Sequence, residues 1–202
     1  MKRIASYIYN ETLLHEHPVL FDIGARVGEF SIPFYKAHGG RIECYEPSPR
    51  NVEELSKRLG EHDVYHCIHS VAVSDHSGSM PLHVWDDPSL INASLYKGKE
   101  YGGDFDSVVE VGVIPFSSLL NTGDFIDVVK MNIEGAEYDC IMSVGAELRR
   151  VGQFLIQVHG ENPVYVPMDL VRHLESVGFV VTPNKIPPTG HSSILAINKE
   201  LL

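Results

Sequence analysis

The sequence predicts a three-layer α/β domain, a largely parallel sheet with helices on both faces. Short apolar runs bounded by glycine alternate with segments of helical length, as in repeated strand–helix–strand units. Around residue 24 a strand, a glycine loop and a helix start come together. The chain has 202 residues, 44% of them hydrophobic, enough for one sizeable core, so residues 1–202 are read as a single domain.

In chain order, residues 1–17 form an N-terminal extension before the first predicted strand, 18–23 (Pro-Val-Leu-Phe-Asp-Ile). A helix follows over 28–38, stopped by Gly39 and Gly40, then a strand over 41–45. Ser48 as N-cap and Pro49 at the first helical position open a second helix that Gly60 ends. Residues 64–74 read as a third strand region, and 79–85 as an added edge strand after the turn at 75–78. Residues 86–107 are polar, glycine-rich and without periodicity, a length of loop that usually carries function. Strands over 108–114, 125–133 and 151–159 alternate with helices over 136–144 and 167–177, ended by Gly145 and Gly178. Residues 179–182 and 193–198 make a closing strand pair, with 191–193 as a turn.

Sixteen Lys and Arg against 27 Asp and Glu leave a net charge of −11, which repels polyanions and argues against nucleic acid as a partner. No run reaches the roughly 20 apolar residues that span a bilayer, so no membrane partner is expected. Residues 4–11 do not make the apolar core of a secretory signal, and a cytoplasmic location is expected. Cys44, Cys67 and Cys140 are scattered among apolar neighbours and read as reduced structural thiols. The histidine pairs His15/His17 and His66/His69 fit no ligand frame with a further donor at a recognised spacing, so no metal site is expected.

The chemistry concentrates at residues 20–29. Gly24 and Gly28 let backbone N–H groups approach a ligand at a helix start. The dinucleotide pattern GxGxxG fails, because Arg26 and Glu29 stand where its second and third glycines belong, which disfavours a dehydrogenase. Glu46, 22 residues after Gly24 at the next strand end, suits both hydroxyls of a ribose. A ribose carboxylate without a phosphate cradle points to S-adenosylmethionine, a nucleoside joined to an amino acid.

Residues 19–28 (Val-Leu-Phe-Asp-Ile-Gly-Ala-Arg-Val-Gly), 45–51 (Tyr-Glu-Pro-Ser-Pro-Arg-Asn), 71–75 (Val-Ala-Val-Ser-Asp) and 129–137 (Val-Lys-Met-Asn-Ile-Glu-Gly-Ala-Glu) occur in that order. In these four blocks the chain resembles the FkbM family of S-adenosylmethionine-dependent methyltransferases, over residues 18 to about 182. The resemblance implies a Rossmann-like class I methyltransferase fold, a mostly parallel seven-stranded sheet with an antiparallel last strand, and methyl transfer usually to a hydroxyl oxygen. It implies that Asp22, Gly24, Ala25 and Gly28 line the methionine end of the cofactor. Glu46 is the matching ribose ligand, and Ala72, Val73 and Ser74 lie by the adenine. Two positions depart from the family pattern: Asn132 stands for an aspartate, and Gln157, before His159, for a glutamate.

Ligands of open α/β sheets lie beyond the carboxyl ends of the strands, which draws Asn132, Glu134 and His159 toward one reaction centre. Glu134 and His159 are the candidate bases for the acceptor's proton. Residues 86–107 are the candidate lid or acceptor loop, offering Asn92, Ser94, Tyr96 and Tyr101. The expected partner is a small-molecule acceptor with a hydroxyl, and a homo-oligomer is an admissible way to complete its site. The lost charges at Asn132 and Gln157 motivate the alternative, a catalytically reduced S-adenosylmethionine-binding or protein-interaction module of the same fold.

Overall fold

The computed structural model describes residues 1–87, 92–96, 105–121, 123–159, 168–186 and 191–202. Its main sheet contains β3 (Val19–Ile23), β4 (Arg41–Tyr45), β5 (His66–His69), β10 (Ile126–Met131), β11 (Val151–Val158), β12 (Phe179–Ile186) and β13 (His191–Asn198). They lie in the order β12-β13-β11-β10-β3-β4-β5. β13 runs antiparallel to both its neighbours while β11, β10, β3, β4 and β5 are parallel. The order reverses between β3 and β10, and the strand ends there open a crevice.

Period-two alternation sorts the side chains into two cores. Phe21, Val129, Phe154 and Ile156 face α3 (Phe116–Leu120), α4 (Glu137–Met142) and α5 (Met168–Ser176). Leu20, Ile42, Val128 and Leu155 face α1 (Ser31–His38) and α2 (Pro49–Glu61). All six residues of β10 are buried, as a central strand covered on both faces requires. Its two charged side chains are satisfied in place. Asp127 accepts from the backbone N–H groups of His15 and Val19, each at 2.8 Å. Lys130 lies opposite Asp22 in the parallel register, 2.9 Å from its Oδ1.

Residues 1–17 are part of the fold rather than an extension. β1 (Lys2–Ile4) and β2 (Tyr7–Tyr9) form a hairpin that packs on the same face as α1. Gln153 on β11 holds it by exchanging hydrogen bonds with the backbone of Asn10, at 2.7 and 3.0 Å. Tyr9 is fully buried, with its hydroxyl 2.7 Å from His38 Nε2.

The region 64–74 divides between two sheets. β5 closes the edge of the main one, while β6 (Ala72–Ser74) joins a separate four-stranded sheet of order β6-β9-β7-β8, with β7 (Gly78–Val84), β8 (Ala93–Ser94) and β9 (Ser107–Pro115). The predicted edge strand at 79–85 is thus β7, interior to that sheet, and part of the predicted loop 86–107 is its edge strand β8. Ala72, Leu82, Leu95, Val111 and Val113 give this sheet its own small core.

Smaller differences have local causes. The first helix begins at Ser31, because the chain spends residues 26–30 in turns around Gly28, whose φ is +82°. The second runs past Gly60 to Glu61, and Ser48 sits at its N-cap without a side-chain capping bond. His191 opens β13 instead of making a turn. Cys44 and Cys140 are buried, and burial pushes the Cys44 thiol up to about 12. Cys67 is exposed, contrary to its expected place in the core. No helix of the described residues is long and apolar enough to cross a membrane.

Candidate functional site

The crevice beyond β3, β4 and β10 holds a cleft that opens to solvent, about 510 Å³ with the open space at its mouth included. Its floor is the turn after β3. Gly24 takes φ +76°, and its N–H and that of Ala25 both donate to the carbonyl of Tyr45, at 2.9 and 3.2 Å. A Cβ at Gly24 would lie 1.9 Å from the Asn132 carbonyl oxygen, so only glycine lets these two strand ends meet. From below, Lys130 Nζ donates to the Gly24 carbonyl at 2.7 Å.

At one end of the cleft stands Glu46, 3% exposed. Its Oε2 accepts the Arg26 N–H at 2.9 Å, and its Oε1 accepts the Ser48 N–H at 3.0 Å and the Asn51 side-chain amide at 3.2 Å. Burial raises its pKa above the ordinary carboxylate value, and the three hydrogen bonds work against that shift. Val71, Ala72 and Val73 form an apolar wall beside it, and Tyr45 also lines the cleft. The small sheet closes the opposite side with Leu82, Asn92, Ala93 and Leu95.

At the other end, Asn132, Ile133 and Glu134 follow β10. Glu134 has φ +51°, a left-handed conformation that costs a non-glycine residue about 1 kcal/mol or more. Ser94 Oγ donates to its carbonyl at 2.7 Å, tying β8 down over this turn. The Glu134 carboxylate is 3.2 Å from His159 Nε2, and Glu137 Oε1 lies 2.8 Å from His159 Nδ1. Glu137 is fully buried and also accepts the N–H groups of Ile133 and Gly135, so the same carboxylate fixes the turn and the imidazole.

Burial alone would lower the His159 pKa. The bond to Glu137 and the charges of Glu137 and Glu134 outweigh it, and the net shift is upward. Burial likewise raises Glu134, opposed by the His159 charge. His159 Nε2 also lies 3.1 Å from the amide nitrogen of Gln157. A neutral imidazole accepts from that amide, and a protonated one donates to Glu134. Tyr7 on the N-terminal hairpin donates to Gln157 Oε1 at 3.4 Å, which ties residues 1–17 to this end of the cleft.

Of the sequence-predicted residues, Gly24, Glu46, Ala72, Val73, Asn132 and Glu134 line the cleft. Asn132 Oδ1 is buried there and has no hydrogen-bond partner among the described residues. Asp22 lies beneath the floor, fully buried, with Lys130 on Oδ1 as a charge contact and Ser31 donating to Oδ2 at 2.6 Å. Ala25 and Gly28 face the core on the α1 side, Gly28 within 3.1 Å of Ile32 and Leu55 at its missing Cβ. Ser74 is buried against Asp75 rather than the cleft. His159 stands behind Glu134 with its side chain 2% exposed. Within the candidate lid, Ser94 and Tyr96 are anchored, Tyr96 donating to Asp139 at 3.0 Å, and Tyr101 lies outside the described residues.

Sequence reasoning missed Lys130, Glu137 and Arg26 as parts of the site. A lysine inside an apolar strand run was a readable signal for a buried ion pair with an acidic neighbour strand. Glu137 closes the fourth family block, but its place in a first helical turn gave it no role of its own.

The chain matches the family described as Methyltransferase FkbM domain over residues 22–181. No curated protein matches it significantly in sequence. Among solved structures it is similar to a precorrin-6y C5,15-methyltransferase from Geobacter metallireducens, with 15% identity and TM-score 0.54, covering 92% of this chain and 82% of that one. The Methanococcus jannaschii fibrillarin pre-rRNA processing protein gives 13% identity and TM-score 0.54, covering 96% and 71%. An Aeropyrum pernix fibrillarin with natively bound S-adenosyl-L-methionine gives 12% identity and TM-score 0.50, covering 92% and 68%. At such identities the likeness speaks for the fold.

Proposed function

The chain belongs to the FkbM methyltransferase family, and on that premise we propose that it moves a methyl group from S-adenosylmethionine to a hydroxyl oxygen of a small molecule or sugar. Bound in the cleft, S-adenosylmethionine supplies an activated methyl group on a sulfonium. The residues present fit it. Glu46 is a buried acceptor whose three donors leave one lone pair, on Oε2, for a ribose hydroxyl, the Val71–Val73 wall suits an adenine face, and Gly24 removes the Cβ that would fill the floor. The unpartnered Asn132 Oδ1 offers an acceptor at the methionine end. Asp22, Ala25, Gly28 and Ser74 act in this reading by shaping the loops rather than by touching the cofactor.

Glu134 is the proposed base. It lines the cleft, and a proton it takes from the acceptor hydroxyl has 3.2 Å to travel to His159 Nε2. Glu137 then balances the imidazolium from the other side, at 2.8 Å. His159 is therefore a positioning and proton-storing residue rather than the group that meets the acceptor. Orienting the acceptor oxygen in line with the methyl carbon falls to the cleft walls and to β8.

The observation that carries the reading is this carboxylate–imidazole–carboxylate row at the strand end nearest Asn132. It speaks for turnover over the reduced-module alternative, because His159 keeps two carboxylates beside it, Glu134 and Glu137, despite Gln157. Titration calorimetry with S-adenosylhomocysteine tests the cofactor site, and transfer of labelled methyl to a panel of sugars and phenols tests the acceptor. Binding with label on hydroxyl oxygen is expected. Label on nitrogen or carbon instead would overturn the hydroxyl assignment, and binding with no transfer to any acceptor class would return the module reading.

A further inference from the structure

β4 and β5 carry a second cluster, away from Glu134 and His159. In their parallel register Glu43 stands opposite Cys67 and Tyr45 opposite His69, so residues 43, 45, 67 and 69 project from one face of the sheet. A carboxylate oxygen of Glu43, the Cys67 Sγ and a ring nitrogen of His69 lie within 4.8 Å of one another. β5 is the last strand of the main sheet, and Cys67 is exposed there.

We propose that Glu43, Cys67 and His69 form a binding site for a divalent cation of zinc-like softness, with water as the fourth ligand. The donor set is one thiolate, one imidazole and one carboxylate, the mixture that zinc accepts in sites with an open position. Ligand bonds of about 2.0–2.3 Å in a tetrahedron put donor atoms roughly 3.3–3.8 Å apart, so the observed spacing needs only side-chain adjustment. His69 Nε2 and Glu43 Oε2 already face each other at 2.8 Å, and a cation replaces the hydrogen between them. The His69 ring is held by stacking on Tyr45, with centroids 4.5 Å apart and planes 11° from parallel. Arg41 Nε lies 3.6 Å from Glu43 Oε1 and opposes the cation, although Asp124 holds the same guanidinium at 2.7 Å.

Binding releases the Cys67 proton to solvent and involves no oxidation or reduction. Carboxylate and thiolate together neutralise the cation's two charges. The site lies back to back with the cleft, since Tyr45 lines the cleft and the His69 carbonyl accepts the Glu46 N–H at 3.1 Å. A cation here clamps β4 to β5 and holds the ring behind Tyr45. In the sequence His69 was paired with His66 and Cys67 read as a structural thiol; the strand register brings Cys67 and His69 to Glu43 instead.

The test is titration of the untagged, reduced full-length chain with Co²⁺. One equivalent should raise a thiolate-to-cobalt charge-transfer band in the near ultraviolet, and Zn²⁺ should displace it. Cys44 and Cys140 are buried, so the band belongs to Cys67 and should vanish in Cys67→Ser. His69→Ala keeps the thiol and should weaken Co²⁺ binding on the order of 100-fold. The proposal is overturned by a folded chain that shows no band, by a band that persists in Cys67→Ser, or by unchanged affinity in His69→Ala.

Discussion

Glu46 and Glu134 are the same residue type, both in the cleft, both just beyond a parallel strand, and burial raises the pKa of each. Their partners differ. Glu46 is held by two backbone N–H groups and an amide, none of which titrates near neutral pH. Glu134 faces an imidazole, which can take up a proton, with a second buried carboxylate behind it. Fixed donors make a carboxylate a stationary acceptor, suited to hold a neutral hydroxyl. A titrating partner makes it a station for protons. Burial and strand position therefore do not assign a role to a carboxylate; what its neighbours can do with a proton does.

The largest effect should come from breaking the floor that both ends share. Gly24→Ala forces a Cβ to within 1.9 Å of the Asn132 carbonyl at a φ that alanine resists, and should cost about 4 kcal/mol or more in a denaturant melt. Glu134→Gln removes the proposed base and leaves the Glu46 end untouched. Methyl transfer should fall about 10²- to 10⁴-fold, with S-adenosylhomocysteine affinity unchanged within a few-fold by calorimetry. If affinity fell as far as rate, the two ends would not be separable.

Glu46→Ala should act in the opposite sense. It weakens S-adenosylhomocysteine by on the order of 100-fold, and each buried N–H left without its acceptor adds roughly 1–3 kcal/mol of instability. The smallest and sharpest change is His159→Gln. The folded-state pKa of His159 is raised above its unfolded value, so its contribution to stability is complete below about pH 6.5 and is lost as pH rises through the folded value. The rate should run the other way, since only neutral His159 can receive the proton from Glu134. Both slopes should flatten in His159→Gln, the first read by thermal melts across pH and the second by the rate profile.

The ordered strands and helices, the glycine turn, and the positions of Glu46 and Glu134 were legible because each rests on local chemistry. Apolar period, capping residues and a glycine at a required φ are written in neighbouring residues. The N-terminal hairpin and the small sheet were not legible. Three-residue strands such as β1, β2 and β6 are too short to show a period, and β8 has only two residues. Their stability comes from partners far away in the chain, Asn10 on Gln153 and Ser94 on the Glu134 carbonyl among them.

By itself the sequence determined the class of fold, the family blocks and the strand ends where chemistry belongs. Hydrophobic periodicity and turn residues act over a few positions, and a reader of the chain sees them directly. Only the tertiary structure decided which polar and charged groups meet: Lys130 with Asp22, Glu137 with His159, and Glu43 with Cys67 and His69. Partner choice among charges depends on strand register and on burial, which strengthens a pair by removing water. Both exist only once the sheet has formed.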